Sequence, residues 1–581
     1  MGLASLSRWL SSVVHAWKHL QVSYYGGKYS IERLFALDEY TQNTALSRVL
    51  LVCIGTPAPM AVLISVQALV PLQDPADGCS ANFGFWIRSG ILSFTVAVTL
   101  TTQATHHIDG VRMSTIQLFV MCALTSLLFT AGAIAISAAL IFPVPFFVLT
   151  LCPVFYVALL ASCRIVLGEL IFRQMLQNRD QTIRYIYFVG AQNAMVFTYP
   201  AYETLFRAVR GSAYQLPVIL LLPLIKVALR NLVLRCMTSL EDMMPEAVIF
   251  TVDFFNAVYI ATCMQSASSA TAIVAITLTD LSQTVVMLYS LHQRTSTLSS
   301  RLRQNVKNSG ADNILSRLCA LCRDPNEFRR HSRAHLLIRS CISHGLATTS
   351  RDLLTRLECI PRGASSELVE TPGLLKLVSS PSVYTRSAKP RDCSARRTIR
   401  SIFVQKRSET IYPITRPAGE VQPRPPDKER KGSQRERPAI IRETLEALFT
   451  TECIVLTAYL EAIIPFFYCS YMLVMVQLPS SQYHTEMAGV TSDNVVETIF
   501  PVFLFGLLQI ATFVVLAAVI KRNCGVHMSY QLAFVLETHM PLIQGKFMFW
   551  VLIMLCFRIV HFGVDFTFQF QKGYYQDKFP A

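Results

Sequence analysis

Residues 497–520 read ETIFPVFLFGLLQIATFVVLAAVI, and Lys521-Arg522 follow at once. The run holds one charge, Glu497, at its start. A helix of this length reaches about 36 Å, enough to cross a hydrocarbon core of roughly 30 Å. Comparable apolar runs occupy 49–70, 85–104, 114–139, 143–163, 247–266, 270–291, 454–478 and 546–566. Composition agrees: 52% of the 581 residues are hydrophobic and only 15% are charged, too few charges to coat a soluble protein of this size. The expected fold class is all-α, a polytopic integral membrane bundle of about 10–12 transmembrane helices with one long basic cytoplasmic loop.

Two runs fit less well. Run 185–205 carries Gln192, Asn193, Pro200 and Glu203, and run 214–229 is broken by Pro217 and Pro223 and leads into Lys226 and Arg230. The pair reads as a hairpin that only partly enters the membrane. Segment 524–545 is mixed in polarity and reads as an interfacial or re-entrant helix.

Charge sorts the segments between the two sides. Residues 294–442 hold 30 Lys and Arg against 13 Asp and Glu, which exceeds the formal net charge of +15 for the entire chain. The basicity therefore belongs to one loop. Arg164, Arg173, Arg179 and Arg184 form a second basic stretch, whereas 479–494 lacks Lys and Arg and 71–84 has only Asp74 and Asp77 as charges. The positive-inside rule puts the basic segments and the N-terminus in the cytoplasm and those two loops outside, in a plasma membrane or endomembrane. Arg207 and Arg210 conflict with this and fall on the outside.

The expected layout has a cytoplasmic N-terminus over 1–46 and a first membrane block of about eight helices over 47–291. The basic loop follows over 292–440, helical at 313–360 and disordered at 361–439, where Pro, Ser and Arg dominate. A second block over 441–571 contributes about three helices plus the interfacial one, and 572–581 is a tail. Within the N-terminus, Leu3, Leu6, Leu10, Val13, Val14, Trp17 and Leu20 share one face of an amphipathic helix suited to the membrane interface. The 16 cysteines lie largely in apolar runs and read as small hydrophobes, not as a disulfide framework.

Ionisable residues inside apolar runs are the candidates for function, because each is costly to hold in lipid without a partner. Asp280 sits near the middle of 270–291. Asp253 lies in 247–266 with Asn256 three residues on, on the same face, and Glu461 lies in 454–478. Arg558 falls near the centre of 546–566, with His561 and Asp565 at helical spacing. These residues suit a polar cavity that binds an ion or proton, with Arg558 paired to Asp280. They suit equally a set of ion pairs that lock helices together.

The loop also holds Cys319-x2-Cys322 and His331-x3-His335, spacings that aim ligand pairs at a zinc ion. The gap between the pairs is short for a zinc finger, and two apolar-face thiols beside a basic helix explain the residues without metal. No P-loop, kinase, GxSxG, HExxH or dinucleotide signature is present, so neither an enzyme nor a cofactor is expected. The basic stretches 391–407 and 423–438 suit anionic lipid or a cytosolic protein. Few aromatics interleave them and both ends are tethered to membrane, which disfavours nucleic acid as a partner.

The stretches MMPEAVIFTVDFFNAVYIATCMQSASS (243–269), SYQLAFVLETHMPLIQGKFMFWVL (529–552) and HFGVDFTFQF (561–570) resemble segments of a large family of uncharacterised polytopic transmembrane proteins of oomycetes. The resemblance covers both membrane blocks and not the basic loop. It implies the two-block layout, and no known activity or catalytic motif comes with it. The function expected from the residues is transport or channelling of a small solute or ion through a polar intramembrane cavity. The alternative is a non-transporting, receptor-like scaffold whose basic loop binds lipid or protein partners.

Overall fold

The computed structural model describes residues 29–305, 314–323, 336–359 and 429–564, with short omissions at 210, 213, 238–240, 268, 343 and 526. The amphipathic stretch 3–20, His331, His335, Asp565 and nearly all of the basic stretch 361–439 lie outside these residues. By internal contacts the chain divides into residues 1–361 with 436–581, and a separate unit over 362–435.

The protein is an all-α polytopic membrane bundle. In chain order its helices are α1 (Ile31–Asn43), α2 (Leu46–Gly55), α3 (Ala58–Leu69), α4 (Phe83–His107), α5 (Thr115–Ala139), α6 (Cys152–Gln177), α7 (Arg179–Ala208) and α8 (Gln215–Cys236). Then come α9 (Met244–Ser266), α10 (Ala270–Asn305), α11 (Ile314–Arg323), α12 (Thr348–Cys359), α13 (Glu429–Met475), α14 (Val495–Cys524), α15 (Met528–Thr538) and α16 (Met540–Cys556). Among the described residues there is no strand, only an isolated bridge between His484 and Ile559.

Among those residues nine helices are long and apolar enough to cross a membrane, or ten if the bent pair α15–α16 counts as one span. The nine include α8, so run 214–229 is the start of a helix that is long and apolar enough to cross a membrane. Pro217 falls in its first turn, where the missing N–H costs nothing. Helix α7 is long enough but too polar to be counted. Its polar residues Gln192 and Glu203 are buried against neighbouring helices, while Ile186, Tyr187 and Phe197 are exposed on its other side.

The two ends of the bundle are defined by their contacts. At one, the loop end, His561 meets Gln73, Phe146 meets Gly563, Ser480 meets Ala68 and Gln265 meets Glu486. At the other, the α1 end, Asn178 and Gln181 meet Asp109, His107 meets Met237, and Arg48 and Tyr40 meet Glu537. The two loops expected outside thus share one end. Arg207 pairs with Glu203 one turn earlier, which offsets the charge that conflicted with the positive-inside reading.

Helix α9 is the core. The whole of its apolar window is buried, whereas α10 and α14 leave most of theirs exposed to lipid. The helix is irregular, with a π-turn over Ile249–Asp253 and ψ of 17° at Phe250. The helix expected over 524–545 ends at Thr538, and an 81° bend separates it from α16. Residues 540–545 therefore belong to the last helix, which stops at Cys556 and not near 566.

At the α1 end the start of the basic loop is fastened to α1. Ile31 and Glu32 donate backbone hydrogen bonds to the carbonyls of Leu337 and Ile338, both at 3.0 Å. The Glu32 carboxylate accepts from the backbone N–H groups of Ser340 and His344, and Glu39 from Ala347 N–H and the Ser350 hydroxyl. Arg323 of α11 reaches Asp38 at 3.1 Å.

One close approach gives a sharp prediction. A Cβ at Gly84 would lie 1.8 Å from the Pro71 carbonyl oxygen, a contact with rigid backbone. Gly84→Ala is expected to cost about 2–3 kcal/mol, as overpacking does. The measurement is a thermal melt of the purified protein in detergent, and an unchanged Tm would show that this loop gives way freely.

Candidate functional site

Four of the residues singled out from sequence meet in one place. Asp253 and Asn256 come from α9, Asp280 from α10 and Glu461 from α13, and all four are buried. Their counter-charges come from α8. Arg230 Nη2 donates to Asp253 Oδ1 at 2.5 Å, and Lys226 Nζ donates to Glu461 Oε1 at 3.3 Å and lies 3.8 Å from Asp253. Thr457 of α13 donates to the other oxygen of Asp253 at 2.8 Å. Lys226 and Arg230 read in sequence as the basic end of a broken run. They are one helical turn apart, so both project from the same face of α8 into the bundle. Lys226 also comes three residues after Pro223, which cannot bond back to the carbonyl of Ile219 and loosens the helix there.

Asp280 differs from the other two carboxyls. Gln509 of α14 donates to it at 2.5 Å, and among the described residues no basic group stands within ion-pair distance. Lys226 faces the same cavity from farther away. The cluster thus sets three carboxyls against two bases. A carboxylate buried without a counter-charge is expensive unless it takes a proton or a cation.

Two small cavities border Asp280. One, about 40 Å³, is lined by Lys226, Arg230, Gln283, Thr284, Thr457 and Glu461. The other, about 20 Å³, lies toward Tyr202, Pro223, Asn256, Thr279 and Gln283. Each has polar side chains in its wall and is large enough for water. The π-turn ends at Asp253, so the irregular backbone of α9 lies between helices at the site and is shielded from lipid.

The other two candidates are elsewhere. Arg558 lies two residues past the end of α16, at the loop end, where it bonds Glu486 and donates to Thr262 Oγ1 at 2.5 Å. The rings of Tyr259 and Tyr468 flank its guanidinium at 5.9 and 5.8 Å. The expected pairing with Asp280 is therefore corrected. The helix ends ten residues before the limit expected from hydropathy, and Glu486, in the loop expected outside, is buried. His561 sits in a short turn and donates from Nε2 to the Gln73 carbonyl at 2.7 Å. These contacts close the loop end of the bundle and touch neither cavity.

His561 makes that closure sensitive to acid. Burial pushes its pKa down to about 4 from 6.5, and the same cause, with Arg88 nearby, takes His484 to about 3. A histidine with a lowered native pKa binds fewer protons folded than unfolded. Its stabilisation is complete above pH 6.5 and is lost as pH falls from 6.5 toward 4. For His561 the loss is on the order of 3 kcal/mol. The Tm should drop over that window, and His561→Gln should flatten the slope. An equally steep slope in the variant would remove His561 as a cause.

Cys319 and Cys322 lie on the face of α11 that packs on α1, and both are buried. Burial raises both thiols, Cys322 to about 12, so they stay protonated where a metal would require thiolate. Among the described residues no group of three His, Cys, Asp or Glu is arranged to hold a metal ion. His331 and His335, the other half of the expected set, lie outside those residues.

At the α1 end, Arg33 bonds Glu452 at 2.6 Å and the Asp242 carbonyl, and Lys546 bonds Glu246 at 2.6 Å. Glu246, Glu452 and Lys546 stand at the edges of apolar runs in sequence, and that position concealed their burial. No family model, curated protein or solved structure matches the chain.

Proposed function

We propose that the protein transports a small solute or ion through the Lys226–Asp253–Asp280–Glu461 cluster, and that Asp280 takes up and releases a coupling proton. One observation carries the reading: the carboxyl without a basic partner is also the one that both polar cavities border. Asp253 is held by Arg230 and Lys226, which would keep its charge constant while that of Asp280 changes. The bent backbone of α9 and Pro223 of α8 supply helix breaks beside the site, as in transporters built on interrupted helices. The ion pairs at either end of the bundle would serve as closures around an occluded centre.

The test is accessibility with Asp280 left in place. Single cysteines at Asn256 and Gln283, in a cysteine-free background, are treated with a membrane-impermeant thiol reagent from each side in turn. Both positions should be labelled, and the preferred side should change with pH. A folded protein that labels at neither position from either side would sink the reading. The cluster would then be a structural lock, and the scaffold function would gain. The scaffold has its own support in the fastening of residues 337–350 to α1, which ties the basic loop to the membrane core.

A further inference from the structure

A third cavity, unrelated to the charged cluster, lies between α4, α6, α7 and α16. Its volume is about 170 Å³, and its lining is mainly apolar and aromatic. Leu92, Phe129, Phe147, Phe155, Val189 and Phe549 form buried parts of the wall. Close-packed interiors rarely leave voids much larger than a water molecule. An apolar cavity of about 150 Å³ stays dry and takes up benzene. This one is of that class and is built into the native chain.

The wall holds a buried polar anchor. Gln192 lines the cavity and is 1% exposed. Its Nε2 donates to Gln103 Oε1 at 3.3 Å, and its own Oε1 accepts no hydrogen bond. A buried amide oxygen left unmatched is costly, and a donor brought by a ligand would satisfy it.

The rim shows where a ligand would enter. Asn193, next along α7, is exposed and donates to the Tyr156 hydroxyl at 3.0 Å. Both border the cavity, Asn193 from the middle of α7 and Tyr156 from the second turn of α6. Around them Val157, Leu160, Ile186 and Phe197 are exposed by half or more, a surface made for acyl chains. The mouth therefore faces the bilayer and not either aqueous side.

We infer that this cavity is a binding site for a neutral, membrane-dissolved ring compound that carries a hydroxyl group. The ring fills the aromatic-lined space, and the hydroxyl donates to Gln192 Oε1. Ions are excluded, because the wall offers no charge.

The experiment uses the full chain in lipid nanodiscs and two photoreactive probes. One is a trifluoromethyldiazirinyl benzyl alcohol, the other the same ring with methyl in place of the hydroxymethyl group. Labelled residues are mapped by mass spectrometry, with unlabelled benzyl alcohol as competitor. The hydroxyl probe should label α6, α7 or α16 wall residues saturably. Gln192→Leu should weaken its apparent affinity about tenfold, the loss of one buried hydrogen bond, and leave the methyl probe unchanged. Val196→Phe and Val96→Phe, which fill the cavity from two sides, should each abolish saturable labelling by both probes. A melt of each variant establishes that it is folded. The inference is overturned if labelling is non-saturable and confined to the exposed belt. It is overturned equally if folded cavity-filling variants label like the parent, or if Gln192→Leu affects both probes alike.

Discussion

Asp280→Asn is expected to abolish proton-coupled flux and leave the fold intact. Asparagine keeps the shape of the carboxyl and can still bond Gln509, so the α10–α14 contact survives. What it cannot do is change charge. Asp253 cannot substitute for it, because Arg230 and Lys226 hold it. Protein reconstituted in liposomes with a pH-sensitive dye in the lumen would measure this directly, under a potassium diffusion potential. The parent should acidify or alkalinise the lumen according to the sign of the potential, and Asp280→Asn should match empty liposomes. Arg558→Lys serves as the control, since it changes the loop end and neither cavity. Normal flux in a folded Asp280→Asn protein would remove Asp280 from the mechanism.

The largest loss of stability is expected from Asp253→Leu. Its carboxylate is completely buried and accepts from Arg230 at 2.5 Å and from Thr457 at 2.8 Å, with Lys226 at 3.8 Å. The leucine withdraws that carboxylate from two cations in the middle of a membrane bundle. Breaking a buried ion pair from one side costs about 3–5 kcal/mol, because the remaining charge is left desolvated. The double variant Asp253→Leu/Arg230→Met should recover a large part of the loss, since paired apolar replacements are often nearly neutral. Thermal melts of the parent, both single variants and the double variant close the cycle. Simple additivity would show that the two residues do not act as a pair.

Local regularities of the chain carry the membrane fold. An apolar run with a basic flank, such as 497–520 before Lys521-Arg522, becomes a helix in lipid whatever its neighbours, because every backbone group must be bonded within the segment. The spans, the basic loop and the acids at membrane depth could be picked out for that reason. Asp253, Asn256, Asp280 and Glu461 stood out because each interrupts an apolar run, and the fold brings those four together.

What tertiary structure alone decided is which charges meet. Helical periodicity tells which face of a helix a residue occupies but not which helix that face will touch. Lys226 and Arg230 looked like the cytoplasmic edge of a broken span, yet α8 continues to Cys236 and carries both into the core. Arg558 looked central, yet α16 begins at Met540 after the 81° bend and ends before reaching it. Glu486 and Glu452, which no sequence signal singled out, are buried partners of arginines. Burial depends on packing between segments hundreds of residues apart, whereas hydropathy along one segment reports only its own partition into lipid. The sequence by itself therefore determined that this chain crosses a membrane and that it holds acids there. The packing of α8 against α9 and α13 determined which bases answer them and which acid, Asp280, is left with an amide.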